Sequence, residues 1–84
     1  MTQYLTLINP VEPNTKINIS FGADCGVWIE HPTEKSKMLA RMIVHETQEN
    51  MRHNRKRMSK YFNWERVINK YTKMYNLEKI ETET

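Results

Sequence analysis

YFNWERVINKYTKMY, residues 61–75, spaces large apolar and aromatic side chains three and four residues apart. Trp64, Val67, Ile68, Tyr71, Met74 and Tyr75 then share one side of a 3.6-residue repeat, which predicts a strongly amphipathic helix with Asn63 as its cap. At about 25 cal/mol per Å² and roughly 150 Å² per ring, Trp64, Tyr71 and Tyr75 represent on the order of 10 kcal/mol of upper-bound burial. A chain of 84 residues has too small a margin of stability to leave that surface in water. The face must fold onto the rest of the chain or close an interface. Trp64, Ile68, Tyr71 and Tyr75 are therefore candidate partner contacts, and a protein partner or a homo-oligomer is expected.

Upstream of this segment the helical period continues. Thr33, after Pro32, can cap a helix and places Glu34 near the positive end of its dipole, and Met38, Leu39, Met42 and Ile43 form an apolar stripe. From His45 to Asn50 the pattern is polar, and Thr47 is a second capping residue. This predicts a break and a new helix carrying Met51, Met58, Tyr61 and Phe62 inward. The first thirty residues read as extended instead. Leu5 and Leu7 alternate with Tyr4 and Thr6, and Ile17 and Ile19 alternate with polar neighbours. NPVEPNT between them is a turn-rich loop, and Val27, Trp28 and Ile29 make a third apolar run after the GADCG bend, with Trp28 expected in the core. The expected fold is α+β, about three short strands followed by three helices. It is read as one domain, with strands and loops over 1–31, helices over 33–78 and a frayed tail over 79–84.

The net charge is +3, with 38% apolar and 27% charged residues. These proportions suit a globular unit, and no run approaches the roughly 18 apolar residues of a membrane span. The start, Met-Thr-Gln-Tyr-Leu, lacks the basic and apolar stretches of a signal peptide, and Cys25 is the single cysteine, so a cytoplasmic setting is expected. The positive charge is local: Arg52, Arg55, Lys56, Arg57 and Lys60 follow one another with no acid between them. On a helix, Arg52, Lys56 and Lys60 fall on one stripe of like charge that an anion would relieve. These five residues are the candidate anion-binding or nucleic-acid-binding set, with an anionic membrane surface as the other polyanion. A solvated face screened by salt and by Glu46 and Glu49 is the ordinary reading of the same pattern.

Chemistry is sparse. Cys25, His31, His45 and His53 lack the CxxC or His-x-x-x-His spacing that brings two donors to one cation, so no metal is expected. Asp24 beside Cys25 would raise a thiol pKa, which suits a structural cysteine better than a nucleophile. GADCG has a glycine at each end but leads into a strand, without GxGxxG or GxxxxGK, and reads as a plain turn. No nucleophile and base can be assembled. No catalytic residue and no cofactor are therefore assigned, and an autonomous enzyme is not expected.

The order of a GADCG bend, a GVWIEHP strand, a helix with the pair Leu39-Ala40, a basic helix and then KYFNWERVINKYTKMYN, Lys60 to Asn76, resembles the carboxyl-terminal end of retaining glycosyltransferases of the GT-B fold. The resemblance covers Gly22 to Asn76, and its last stretch is the distinctive part. It implies a fragment, a split-gene piece or a reused structural domain, whose closing helix packs on a domain this chain lacks. If part of an enzyme, that enzyme would be a glycosyltransferase. The family's donor-site segments have no counterpart here, and Glu34 and Glu46 do not fit its paired glutamates, so no family residue is carried over. The expected function is a non-catalytic domain acting through association with a partner or with itself. The alternative is a small basic protein of the kind viruses and mobile elements encode, docking on nucleic acid or a host protein through its Arg/Lys-rich helix.

Overall fold

The alternation of Leu5 and Leu7 with Tyr4 and Thr6 decides which side of the molecule is covered. In the computed structural model, which describes residues 2–22, 26–54 and 60–83, strand β1 (Gln3–Ile8) buries Leu5 and Leu7. Strand β2 (Ile17–Phe21) buries Ile17, Ile19 and Phe21 in the same way. Leu5 lies opposite Ile19 and Leu7 opposite Ile17 in an antiparallel pair, so the two apolar rows share one face. Strand β3 (Val27–Glu30) pairs with β2 and adds Val27 and Ile29, partly buried, to that face.

The connection from β1 to β2 is built by its own turn chemistry. The Asn9 side chain accepts from the backbone N–H groups of Val11 and Glu12, and Pro13–Thr15 form a single 3₁₀ turn. This loop is tied to the first helix, α1 (Glu34–Asn54), by a bond from the Thr33 hydroxyl to the Asn14 carbonyl and by a 2.8 Å ion pair between Lys35 and Glu12. Thr33 caps α1 as its sequence predicts. The Ser36 N–H donates to Oγ1 of Thr33 (3.1 Å), and the Thr33 N–H donates back to Oγ of Ser36 (2.9 Å), a reciprocal box with serine in the usual glutamate position.

The helical region differs from the expectation. Two helices are present among the described residues, not three, because α1 runs without a break through His45–Asn50. Thr47 is fully buried and its hydroxyl donates to the Ile43 carbonyl one turn back (2.7 Å). A residue able to cap a helix is satisfied inside one, and the polar stretch winds round a continuous helix with Thr47 turned inward and His45 and Gln48 outward. Asn63 is likewise no cap. It is buried in the first turns of α2 (Lys60–Met74), the helix predicted to begin only after an Asn63 cap, which also takes in Tyr61 and Phe62, assigned by the sequence to the helix before it.

The end of α2 has a clear stop signal. Asn76 adopts φ 55°, the left-handed region that asparagine tolerates better than other side-chain-bearing residues, and the Leu77 N–H donates to the Thr72 carbonyl at 2.9 Å. This Schellman arrangement turns the chain and buries Leu77. Asn76→Val is expected to lose about 1–2 kcal/mol of stability in chemical denaturation, whereas Asn76→Gly should equal or exceed the wild type.

The chain then forms a fourth strand, β4 (Glu78–Glu83), where a helix end and a frayed tail are predicted. It pairs antiparallel with β1 along its whole length, Ile8 opposite Glu78 through Gln3 opposite Glu83. The sheet order is β3-β2-β1-β4, with both helices packed on the Leu5–Leu7 side. The physical reason is the unpaired edge that β1 would otherwise present: its N–H and C=O groups find partners in β4 whatever the side chains of β4 are.

Candidate interaction surfaces

The four aromatic and apolar residues predicted as partner contacts separate into two groups. Trp64, Ile68 and Tyr71 are buried, Trp64 retaining only 7% of its exposure, in one core cluster with Leu5, Leu7, Ile17, Ile19, Leu39 and Ile43. Their cover is this chain's own sheet and α1. Tyr75 remains 40% exposed, beyond the last turn of α2, with its ring tilted against Tyr71 at 5.8 Å between centroids.

Polar contacts lock α2 in that position. The Tyr61 hydroxyl donates to the Gln3 side chain on β1 (2.6 Å), and its ring meets Phe21 edge-on at 5.1 Å. Glu46 on α1 accepts from Lys70 (2.9 Å) and from the Tyr71 hydroxyl (3.3 Å). Burial, and then the neighbouring Glu46 carboxylate, push the Tyr71 phenol above its ordinary pKa, so it is an un-ionised donor in the folded chain.

Tyr75 lines a groove of about 310 Å³ between α1, the β1–β2 loop and the turn from α2 to β4. Its walls are Met38, Leu39, Met42, Tyr75 and Leu77, with Asn9, Glu12, Thr15 and Lys35 also lining it. Met38 and Met42, predicted to be part of an inward stripe with Leu39 and Ile43, instead sit toward solvent. Met38 is 65% exposed, while Leu39 and Ile43 take the core positions. The two stripes are adjacent on the helix, and composition alone does not say which faces the sheet.

The other side of the sheet has no covering layer among the described residues. By its register it carries Tyr4, Thr6, Asn18, Ser20, Trp28, Glu30 and Ile80. Thr6 donates to the Asn18 side chain across the strands (2.9 Å). Trp28, expected in the core, is 69% exposed on this face, because the strand alternation that turns Val27 and Ile29 inward turns Trp28 outward. A three-residue apolar run does not reveal that alternation, but pairing Trp28 opposite Ser20 does.

Of the candidate basic set, Arg52 is exposed near the end of α1 and bonded to Glu49 at 2.9 Å, with His53 Nε2 4.0 Å from the same carboxylate. Arg55, Lys56 and Arg57 lie outside the described residues, as does the side chain of Lys60. Cys25, with the middle of the GADCG bend, lies outside them too. Among the described residues no three of His, Cys, Asp and Glu are grouped to hold a metal ion, and no helix is long and apolar enough to cross a membrane.

No protein-family model matches the chain, and the comparisons with curated proteins and with solved structures give no match either.

Proposed function

We propose that the protein is a non-catalytic binding domain that works by docking an apolar segment of a protein partner in the Met38–Tyr75 groove. The observation that carries this is the placement of two methionines one helical turn apart, beside Tyr75, around a concave apolar surface. Methionine side chains are flexible and polarizable and adapt to varied apolar partners. The two charged residues at the rim, Lys35 and Glu12, are already paired with each other. No surplus charge is left there to recruit a phosphate chain, and an apolar helix stripe with anchors three and four residues apart is the occupant that fits. The resemblance of Lys60–Asn76 to a glycosyltransferase's closing helix contributes no residue to this reading.

Peptides selected from a random display library against the wild-type protein test it. The selected sequences are expected to share apolar residues at helical spacing, and Met38→Lys together with Tyr75→Ala should weaken their binding about tenfold or more. Met38 is largely exposed and Tyr75 contributes one ring contact to Tyr71, so the variant should still fold cooperatively with only a modest fall in melting temperature. Selected peptides that bind the variant equally well would overturn the proposal.

A further inference from the structure

The sheet has two edges, and they are defended differently. β4 is protected by charge: Lys79 and Glu81 are set opposite Leu7 and Leu5, Lys79 is bonded to the Asn69 side chain on α2 (2.8 Å), and Glu78 opens the strand. Inward-turned charges on an edge strand are a standard obstacle to pairing with another sheet. Among the described residues β3 has no such obstacle. It reads Val27, Trp28, Ile29, Glu30, with one charge at its last residue and no proline inside it.

The hydrogen-bond phase of β3 follows from its junction with β2. The Gly22 N–H donates to the Gly26 carbonyl (2.8 Å), one step beyond the Phe21–Val27 pair. Antiparallel pairs alternate between bonded and non-bonded, so Trp28 and Glu30 direct their backbone groups toward β2. The N–H and C=O groups of Val27 and Ile29 consequently point away from β2, toward an edge that no strand covers among the described residues, a donor and an acceptor from each.

We propose that two copies of this chain pair their β3 strands antiparallel about a two-fold axis through Trp28, joining two four-stranded sheets into one. In that register Val27 lies opposite the partner's Ile29 and Ile29 opposite the partner's Val27, and their outward backbone groups form four hydrogen bonds. Trp28 lies opposite the partner's Trp28 at the close spacing of a non-bonded pair, about 4.5 Å between Cα atoms. Glu30 faces the partner's Gly26, so no like charges oppose one another. A two-fold axis perpendicular to the sheet keeps the helices of both copies on one side, and the partly buried Val27 and Ile29 then extend the apolar core layer across the axis.

Neighbouring registers are poorer. Centring on Ile29 sets Trp28 against the partner's Glu30, and centring on Glu30 opposes two carboxylates. The contact is a four-residue strand with two indoles, below the roughly 1,200 Å² typical of stable complexes, so the dimer should be reversible and dependent on concentration. This surface is separate from the Met38–Tyr75 groove, and either assignment can fail without the other.

Sedimentation equilibrium from about 1 μM to about 1 mM protein should show the mass rising from 10.2 kDa toward twice that value. Trp28→Glu and Trp28→Lys, both at an exposed position, should each weaken the dimer about tenfold or more, and an equimolar mixture of the two should dimerise again because opposite charges then meet at the axis. The groove double variant should dimerise as the wild type does. A wild-type chain that stays monomeric throughout overturns the proposal, as does a dimer indifferent to Trp28→Glu. Two monomeric variants that fail to rescue each other overturn it as well.

Discussion

Trp64→Ala is expected to remove about 3–5 kcal/mol of folding stability, because it empties a large aromatic volume from a closed core. For a domain of this size that is a large part of a total of about 5–15 kcal/mol, and the melting temperature should fall by more than about 10 °C. The effect belongs to the monomer and should be independent of protein concentration. Trp28→Ala is the internal control. Its side chain stands on the open face of the sheet, and under dilute conditions its loss should lie within about 0.5 kcal/mol of the wild type. Thermal and urea unfolding of the two variants would give the opposite ranking if Trp28 were the core residue and Trp64 a surface contact.

Removal of residues 78–84 is expected to have the second large effect. β4 occupies the flank of β1, and β1 lies between β2 and β4 beneath both helices. Taking β4 away leaves that flank without its ladder and exposes Leu5 and Leu7 from the side. At about 0.5–1.5 kcal/mol per net hydrogen bond, several lost bonds amount to a few kcal/mol before any apolar exposure is counted. The truncated chain should lose its cooperative transition or shift it to much lower denaturant, and the freed β1 edge should promote aggregation. A frayed tail would predict no change, so circular dichroism and light scattering of the truncated chain separate the two accounts.

The elements that were legible are those whose side chains face one way with a regular period. Leu5 and Leu7, then Ile17 and Ile19, identify β1 and β2 by alternation, and Trp64, Val67, Ile68 and Tyr71 identify α2. The Thr33 cap was legible because Pro32 and an acid flank it. What was hidden depends on tertiary context. EKIETE offers a single apolar residue and becomes a strand because β1 has a vacant edge beside it. The polar stretch around Thr47 looks like a break until its hydroxyl is seen bonded to Ile43.

The candidate site was less legible than the fold. Three of the four residues proposed as partner contacts have an apolar face large enough to require cover, but sequence spacing cannot say whether the cover comes from the same chain. Burial of Trp64, Ile68 and Tyr71 under the sheet and α1 accounts for that requirement internally. Tyr75 alone of the four lines an open groove, together with methionines that periodicity had placed inward. Trp28 became a surface residue only once its pairing with Ser20 fixed the phase of β3.

The central claim is that the aromatic face of α2 is this chain's own core. Acrylamide quenching of tryptophan fluorescence in a Trp28→Phe variant, at a dilution where the chain is monomeric, tests it most directly because Trp64 is then the only emitter. The account predicts blue-shifted emission and quenching several times weaker than in the urea-unfolded chain. Red-shifted, freely quenched emission in the folded monomer, with protection gained only at high concentration, would contradict it.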